Sequence, residues 1–174
     1  MNSHLMIKAY SITILLGAII LFSSCIKEEV SFGNNEEKET INGNNNESKS
    51  YAKDIEKQVV KIINDERAKL KLTPLQIDES LMKSCDIRAK EIVTKFSHER
   101  PDGTSCFTTI EIQYRAAGEN IAAGQENAED VMKSWMNSEG HRNNILGKSF
   151  THIGVGCYEH NNKLYWVQLF TQNK

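Results

Sequence analysis

The chain has 174 residues, 39% of them apolar, enough to fill one core of ordinary size with room for appendages. Its 21 Lys and Arg face 23 Asp and Glu, a formal net charge of -2, with the lysines scattered among acids rather than gathered into a patch. That balance provides no phosphate-neutralising surface and argues against nucleic acid as a partner.

At the amino terminus, Lys8 is followed from Ala9 to Phe22 by an apolar run without charge. The run is shorter than the roughly 20 residues that span a bilayer. With the small residues Ser23 and Ser24 ahead of Cys25, residues 1–25 read as a lipoprotein-type signal segment. Phe22-Ser23-Ser24-Cys25 resembles a bacterial lipobox, with Phe where Leu is usual, and the resemblance implies lipidation at Cys25. A plain secretory signal or an uncleaved signal anchor is the alternative. Each version places the rest of the chain outside the cytoplasm, and the lipidated one holds it to the membrane by acyl chains. Residues 26–50 are dominated by Glu, Lys, Asn, Ser and Gly. Such a stretch buries too little apolar surface to offset its ordering entropy, so it is expected to be a flexible polar linker.

A single domain is expected over residues 51–174. Apolar residues at Ile55, Val59, Ile62, Ile63 and Leu70 predict a helix over Lys53–Leu70 with one buried face. Asp78 is placed to cap a second helix carrying Leu81, Met82, Cys85, Ala89, Ile92, Val93 and Phe96. Pro101-Asp102-Gly103 is a turn signal, which leaves His98 on a loop just past that helix. A short helix is expected over Thr104–Gln113, and a loop or short strand over Ala117–Gly124. Asn127 can cap the next helix, with Glu129 and Asp130 in its first turn and Gly140 at its exit, so that His141 follows a helix end. Phe150–Tyr158 alternates as a strand, and Lys163–Thr171 is a second strand, rich in aromatic and branched residues, joined to it at Asn161-Asn162. Leu164-Tyr165-Trp166-Val167 is apolar on both faces, which requires cover on both sides and predicts an α+β fold, a three-layer α-β-α sandwich.

If Cys25 carries lipid, Cys85, Cys106 and Cys157 remain, and at most one pair can bond. No C-x-x-C spacing points to zinc, and buried free thiols are the simplest reading.

Phe96-Ser97-His98, Gly118-Glu119-Asn120-Ile121 and the run from Trp135 to Leu146 occur in the order seen in bacterial SCP domains. Ile153-Gly154-Val155-Gly156 and Trp166-Val167-Gln168-Leu169-Phe170 extend the match. From Tyr51 to its end the chain resembles the CAP superfamily of cysteine-rich secretory, antigen 5 and pathogenesis-related proteins. The resemblance implies the family's sandwich and a shallow cavity where His98, Glu119 and His141 converge. The position of a second carboxylate in many members falls here on Ser138, and Glu139 beside it points elsewhere on a helix.

Two imidazoles and a carboxylate at one surface can do three things. His98 and His141 can hold a divalent metal such as zinc, weakly, since two protein donors fall short of the three or four of a firm site, with Glu119 fixing a ring tautomer. They can instead serve general acid-base hydrolysis, although no nucleophile motif accompanies them. Or His98, Glu119, Ser138 and His141 can orient a bound ligand. The reading favoured by residue chemistry is an extracytoplasmic, membrane-anchored protein binding a small ligand, an envelope component or a host protein. Its rival is a metal-assisted hydrolase of peptide or cell-envelope bonds. Taken singly, Glu119 could merely brace a loop through main-chain amides, Asn120 could close a turn, and Trp135 and Trp166 belong to the core.

Overall fold

The computed structural model describes the backbone from Asn44 to Lys174 and side chains from Lys53 onward; the expected signal segment 1–25, with Cys25, and most of the 26–50 linker lie outside the described residues. In chain order the elements are α1 (Asn44–Lys69), β1 (Gln76–Ile77), α2 (Glu79–Thr94), a 3-10 turn (Cys106–Thr109), β2 (Tyr114–Ala123), α3 (Ala128–Asn137), α4 (Glu139–Ile145), β3 (His152–His160) and β4 (Lys163–Asn173). The first helix therefore begins inside the stretch expected to be linker. No helix among the described residues is long and apolar enough to cross a membrane.

The sheet order is β1-β3-β4-β2, with β1 parallel to β3 and the other pairs antiparallel. Successive side chains of a strand point to opposite faces, and β4 uses both. Trp166 and Phe170 join Ile55, Val59 and Ile63 of α1 and Val131 and Trp135 of α3 in one core. Val167 and Leu169 join Leu81, Cys85, Ala89 and Ile92 of α2 in the other. This is the expected three-layer sandwich, and it explains why β4 is apolar without alternation. On β3, Ile153 and Val155 pack in the first core while Gly154 and Gly156 lie beneath α2. A Cβ on Gly156 would stand 2.6 Å from the carbonyl carbon of Cys85, and one on Gly154 would overlap the Leu81 main chain, so the two glycines set how closely α2 lies on the sheet.

Local signals mostly hold. Asp78 accepts hydrogen bonds from the N–H groups of Ser80 and Leu81, and Asn127 from that of Asp130. Asn161 and Asn162 turn the hairpin with φ of 50° and 57°, the left-handed pair that a two-residue turn of this hand needs.

Three expectations are corrected. Leu70 and Phe96 are exposed, because each lies past the end of its helix, where the apolar stripe no longer faces the core. Of the two readings open for Ala117–Gly124, strand holds: residues 117–123 are most of the ten-residue strand β2, paired with β4 throughout. The helix over Thr104–Gln113 shrinks to the 3-10 turn. Gly140 does not end a helix: the break comes at Ser138, and Gly140 and His141 lie within α4.

Two charges on the expected polar face of α1 are buried. Glu56 accepts the Cys157 N–H at 3.0 Å, and with Met82 Sδ, 3.1 Å from the Val155 nitrogen, it covers the edge of β3 where the two residues of β1 run out. Burial, opposed by that hydrogen bond, pushes its carboxyl up to about 7. Arg67 donates to the carbonyls of Thr73, Ile145 and Gly147, tying α1 to the carboxy-terminal end of α4.

Candidate functional site

His98 lies on the loop between α2 and the 3-10 turn, as expected. That loop is closed by main-chain bonds from Arg100 N–H to Thr104 O, from Gly103 N–H to Arg100 O and from Cys106 N–H to His98 O. Gly103 has φ of 85°, which favours glycine at the tip. From α2, Arg88 Nη2 donates to Ser97 O at 2.7 Å and fixes the strap immediately before the imidazole.

Glu119 reaches this loop from β2. One carboxylate oxygen, Oε2, is 2.7 Å from His98 Nδ1, and the other, Oε1, takes Arg88 Nε at 2.9 Å. Its side chain is 1% exposed and that of His98 60%. The carboxylate is thus not braced by main-chain amides, one of the readings open at the sequence level; it is the buried hub of the site. Burial raises its pKa, but the hydrogen bonds and positive charges of His98 and Arg88 outweigh burial and hold it below the ordinary value. The same hydrogen bond raises the pKa of His98 against a smaller opposing effect of burial. With Nδ1 turned to the carboxylate, Nε2 is the ring atom left for a ligand.

Behind the hub, charges alternate. Arg88 Nη1 meets Glu91 Oε2 at 2.8 Å, and Arg100 forks onto Glu91 with Nη2 to Oε1 at 2.6 Å. The desolvation that burial imposes on Arg88 is outweighed by its bonds to Glu119 and Glu91. Cys106 lies against Glu119, and burial together with that carboxylate's charge pushes its thiol up to about 12, so it stays protonated. Cys85, Cys106 and Cys157 are all free, as expected, and Cys85 and Cys106 are buried.

His141 belongs to the other wall. Side chains alternate along β2, so Asn120 points away from Glu119 to the α3 and α4 layer. There its amide donates to His141 O at 3.1 Å and Gln168 Oε1 at 2.9 Å, while Asn144 Nδ2 donates to Asn120 Oδ1 at 2.8 Å and to Glu119 O at 3.2 Å. Asn120 thus closes no turn; it is a fully buried strand residue pinning α4 through the His141 carbonyl. The pKa of His141 is lowered, by burial first and then by the charge of His98. Ser138 sits at the α3–α4 junction, partly exposed, and makes no side-chain hydrogen bond to His98, Glu119 or His141.

The donor set fits a metal poorly. Both Glu119 oxygens are committed to Arg88 and His98, and no group of three or more His, Cys, Asp or Glu among the described residues comes together as a metal site. Sequence reasoning missed Arg88, Cys106 and Asn144. Arg88 left a signal: with Leu81, Cys85, Ala89 and Ile92 it falls on the buried stripe of α2, where a charge demands a partner.

The cysteine-rich secretory protein family model matches residues 60–170, and the chain belongs to this CAP family. The Bacillus subtilis protein YkwD is 49% identical over 120 residues, 66% of this chain and 46% of that protein. The membrane protein YlbC of the same organism is 30% identical over 120 residues, 34% of its length, so the chain spans less than half of these curated relatives. A solved extracellular protein containing an SCP domain from Bacillus anthracis is 29% identical with a TM-score of 0.67, over 74% of this chain and 43% of that one. An outer surface protein from Borrelia burgdorferi is 26% identical with a TM-score of 0.65, over 70% of this chain and 95% of its own.

Proposed function

We propose that the protein is an exported, lipid-anchored CAP-domain protein whose cavity at His98, Glu119 and His141 binds a small ligand, an envelope component or a host factor. The observation that carries this reading is the double engagement of Glu119. A carboxylate bonded at both oxygens and held ionised is a poor base for activating water, but it orients His98 so that Nε2 faces outward. Export is supported by the lipobox-like Phe22–Cys25 and by relatives described as extracellular and outer-surface proteins. Any divalent metal would rest on His98 and His141 alone and exchange freely. Zinc titration by calorimetry tests the cavity: weak saturable binding is expected in the native chain and its loss in His98→Ala and His141→Ala, while binding that survives both changes overturns the assignment. Palmitate labelling abolished by Cys25→Ser tests the anchor.

A metal-assisted hydrolase is favoured by one observation, the opposite pKa shifts of His98 and His141, since two titratable groups pushed apart form an acid-base pair. Peptide and peptidoglycan panels with and without zinc decide: turnover that disappears in Glu119→Gln selects the enzyme.

A further inference from the structure

β2 is an edge strand whose only neighbour in the sheet, among the described residues, is β4. Its even-numbered residues take the ladder: on β4 the odd residues face β3, and Gly124 N–H, one step past the strand, donates to Leu164 O. Ala117, Glu119 and Ile121 therefore turn their main-chain groups outward. The carbonyls of Glu119 and Ile121 are covered, by Asn144 Nδ2 at 3.2 Å and Trp135 Nε1 at 3.3 Å. The N–H groups of Ala117 and Glu119 make no hydrogen bond to any described residue, although Glu119 as a whole is only 6% exposed. Outward-facing edge donors without a strand partner are a ready template for an added strand.

The surroundings say which acceptor. Glu119 and Asn120 point to opposite faces; Glu119 holds the His98 ring and Asn120 the main-chain carbonyl of His141, so the two histidine-bearing segments reach this strand from either side of the sheet. The unpaired N–H groups are two residues apart, about 6.7 Å along a strand, the repeat of alternate carbonyls in an extended peptide. Beyond them the strand is open: Ala117 and Ala116 are partly exposed, and Arg115 is exposed at the point where the register shifts. The Glu119 carboxylate is paired with Arg88 and His98, and Arg115 is exposed at the open end of the strand, which favours an acidic segment.

We propose that the outer edge of β2 from Arg115 to Glu119 is a strand-addition site, taking an extended, acidic peptide segment whose carbonyls accept from Ala117 and Glu119 between His98 and His141. The proposal rests on the ligand-binding reading of the cavity and names its ligand class. Because main-chain hydrogen bonds supply the recognition, a generic extended peptide at millimolar concentration is a sufficient probe.

The test is an amide-resolved NMR titration of the isotope-labelled full chain with a capped alternating Thr–Glu hexapeptide and its Thr–Lys counterpart. The acidic peptide is expected to move the Ala117 and Glu119 amide protons downfield in a saturable way and slow their exchange about ten-fold, leaving Gly118 and Asn120, already bonded to β4, nearly still. Ala117→Pro removes one donor at an outward edge position where proline is tolerated, and affinity should fall about ten-fold, the worth of one hydrogen bond. Shifts at even and odd residues alike, or none, overturn the proposal in the native chain whether or not the proline variant folds. A zinc arm separates the two failures: if zinc moves the His98 and His141 ring protons while neither peptide moves the edge amides, strand addition falls and the cavity stands, and if nothing moves, both fall.

Discussion

Arg88 has no exposed surface, yet its guanidinium meets two carboxylates and the Ser97 carbonyl. Removing one partner of a buried pair leaves the other charge unsatisfied, which costs about 3–5 kcal/mol. Arg88→Ala is expected to lower unfolding free energy by that order in denaturant titration and to free the His98 loop. The linkage to pH follows from the shifts. Glu119 is held below its ordinary 4.5, so its stabilisation is present above that value and is lost as pH falls through its folded value. His98 is raised above 6.5, so its contribution is full below 6.5 and disappears as pH rises through its folded value. Glu56 runs the other way from Glu119. Its carboxyl is raised from 4.5 to about 7, so the folded state loses stability as pH climbs between those values, by up to ~3 kcal/mol at 1.36 kcal/mol per pH unit. Glu56→Gln keeps an oxygen for the Cys157 N–H and removes the charge. It should raise the melting temperature at pH 8 and leave it nearly unchanged at pH 4; an equal effect at both would contradict the assignment.

Elements are placed by a few local devices whose removal should be felt. Asn127→Ala deletes the cap of α3 and is expected to cost about 1 kcal/mol. Gly154→Ala is a harsher change, because the added methyl overlaps the Leu81 main chain rather than a side chain that could rotate away. A loss of at least 1–3 kcal/mol is expected in thermal unfolding, through displacement of α2 from β3. Since α2 carries Arg88, the His98–Glu119 contact should loosen with it, and the two effects can be read together from the His98 ring shift.

At the scale of the molecule, the sandwich rests on two apolar cores and the buried Arg88–Glu119 ion pair that joins α2 to β2. The cysteines among the described residues are free, so no covalent link holds the layers. Unfolding curves with and without reductant are therefore expected to superimpose; a reductant-dependent midpoint would reveal a bond that these contacts do not require. The Arg67 bridge from α1 to the end of α4 joins the first helix to the helix carrying His141, so changes in α1 are expected to be felt at His141 through α4.

What the sequence determined by itself is what short-range physics encodes. The caps at Asp78 and Asn127, the Asn161-Asn162 turn and the doubly apolar β4 each depend on neighbours along the chain, and together they are enough to specify a layered α+β fold. The ordered motifs around His98, Glu119 and His141 also carried the family resemblance, and the CAP family model matches residues 60–170. The tertiary structure alone decided how those residues are used. Glu119 meets Arg88 across 31 positions and His98 across 21, and no periodicity reports such a pairing. Nor could composition choose between loop and strand for 117–123, because small residues and a glycine suit either until β4 supplies the ladder. Charges on a helix read as solvated until another layer covers them, which is why Glu56 and Arg67 became visible as buried groups only once the layers were assembled.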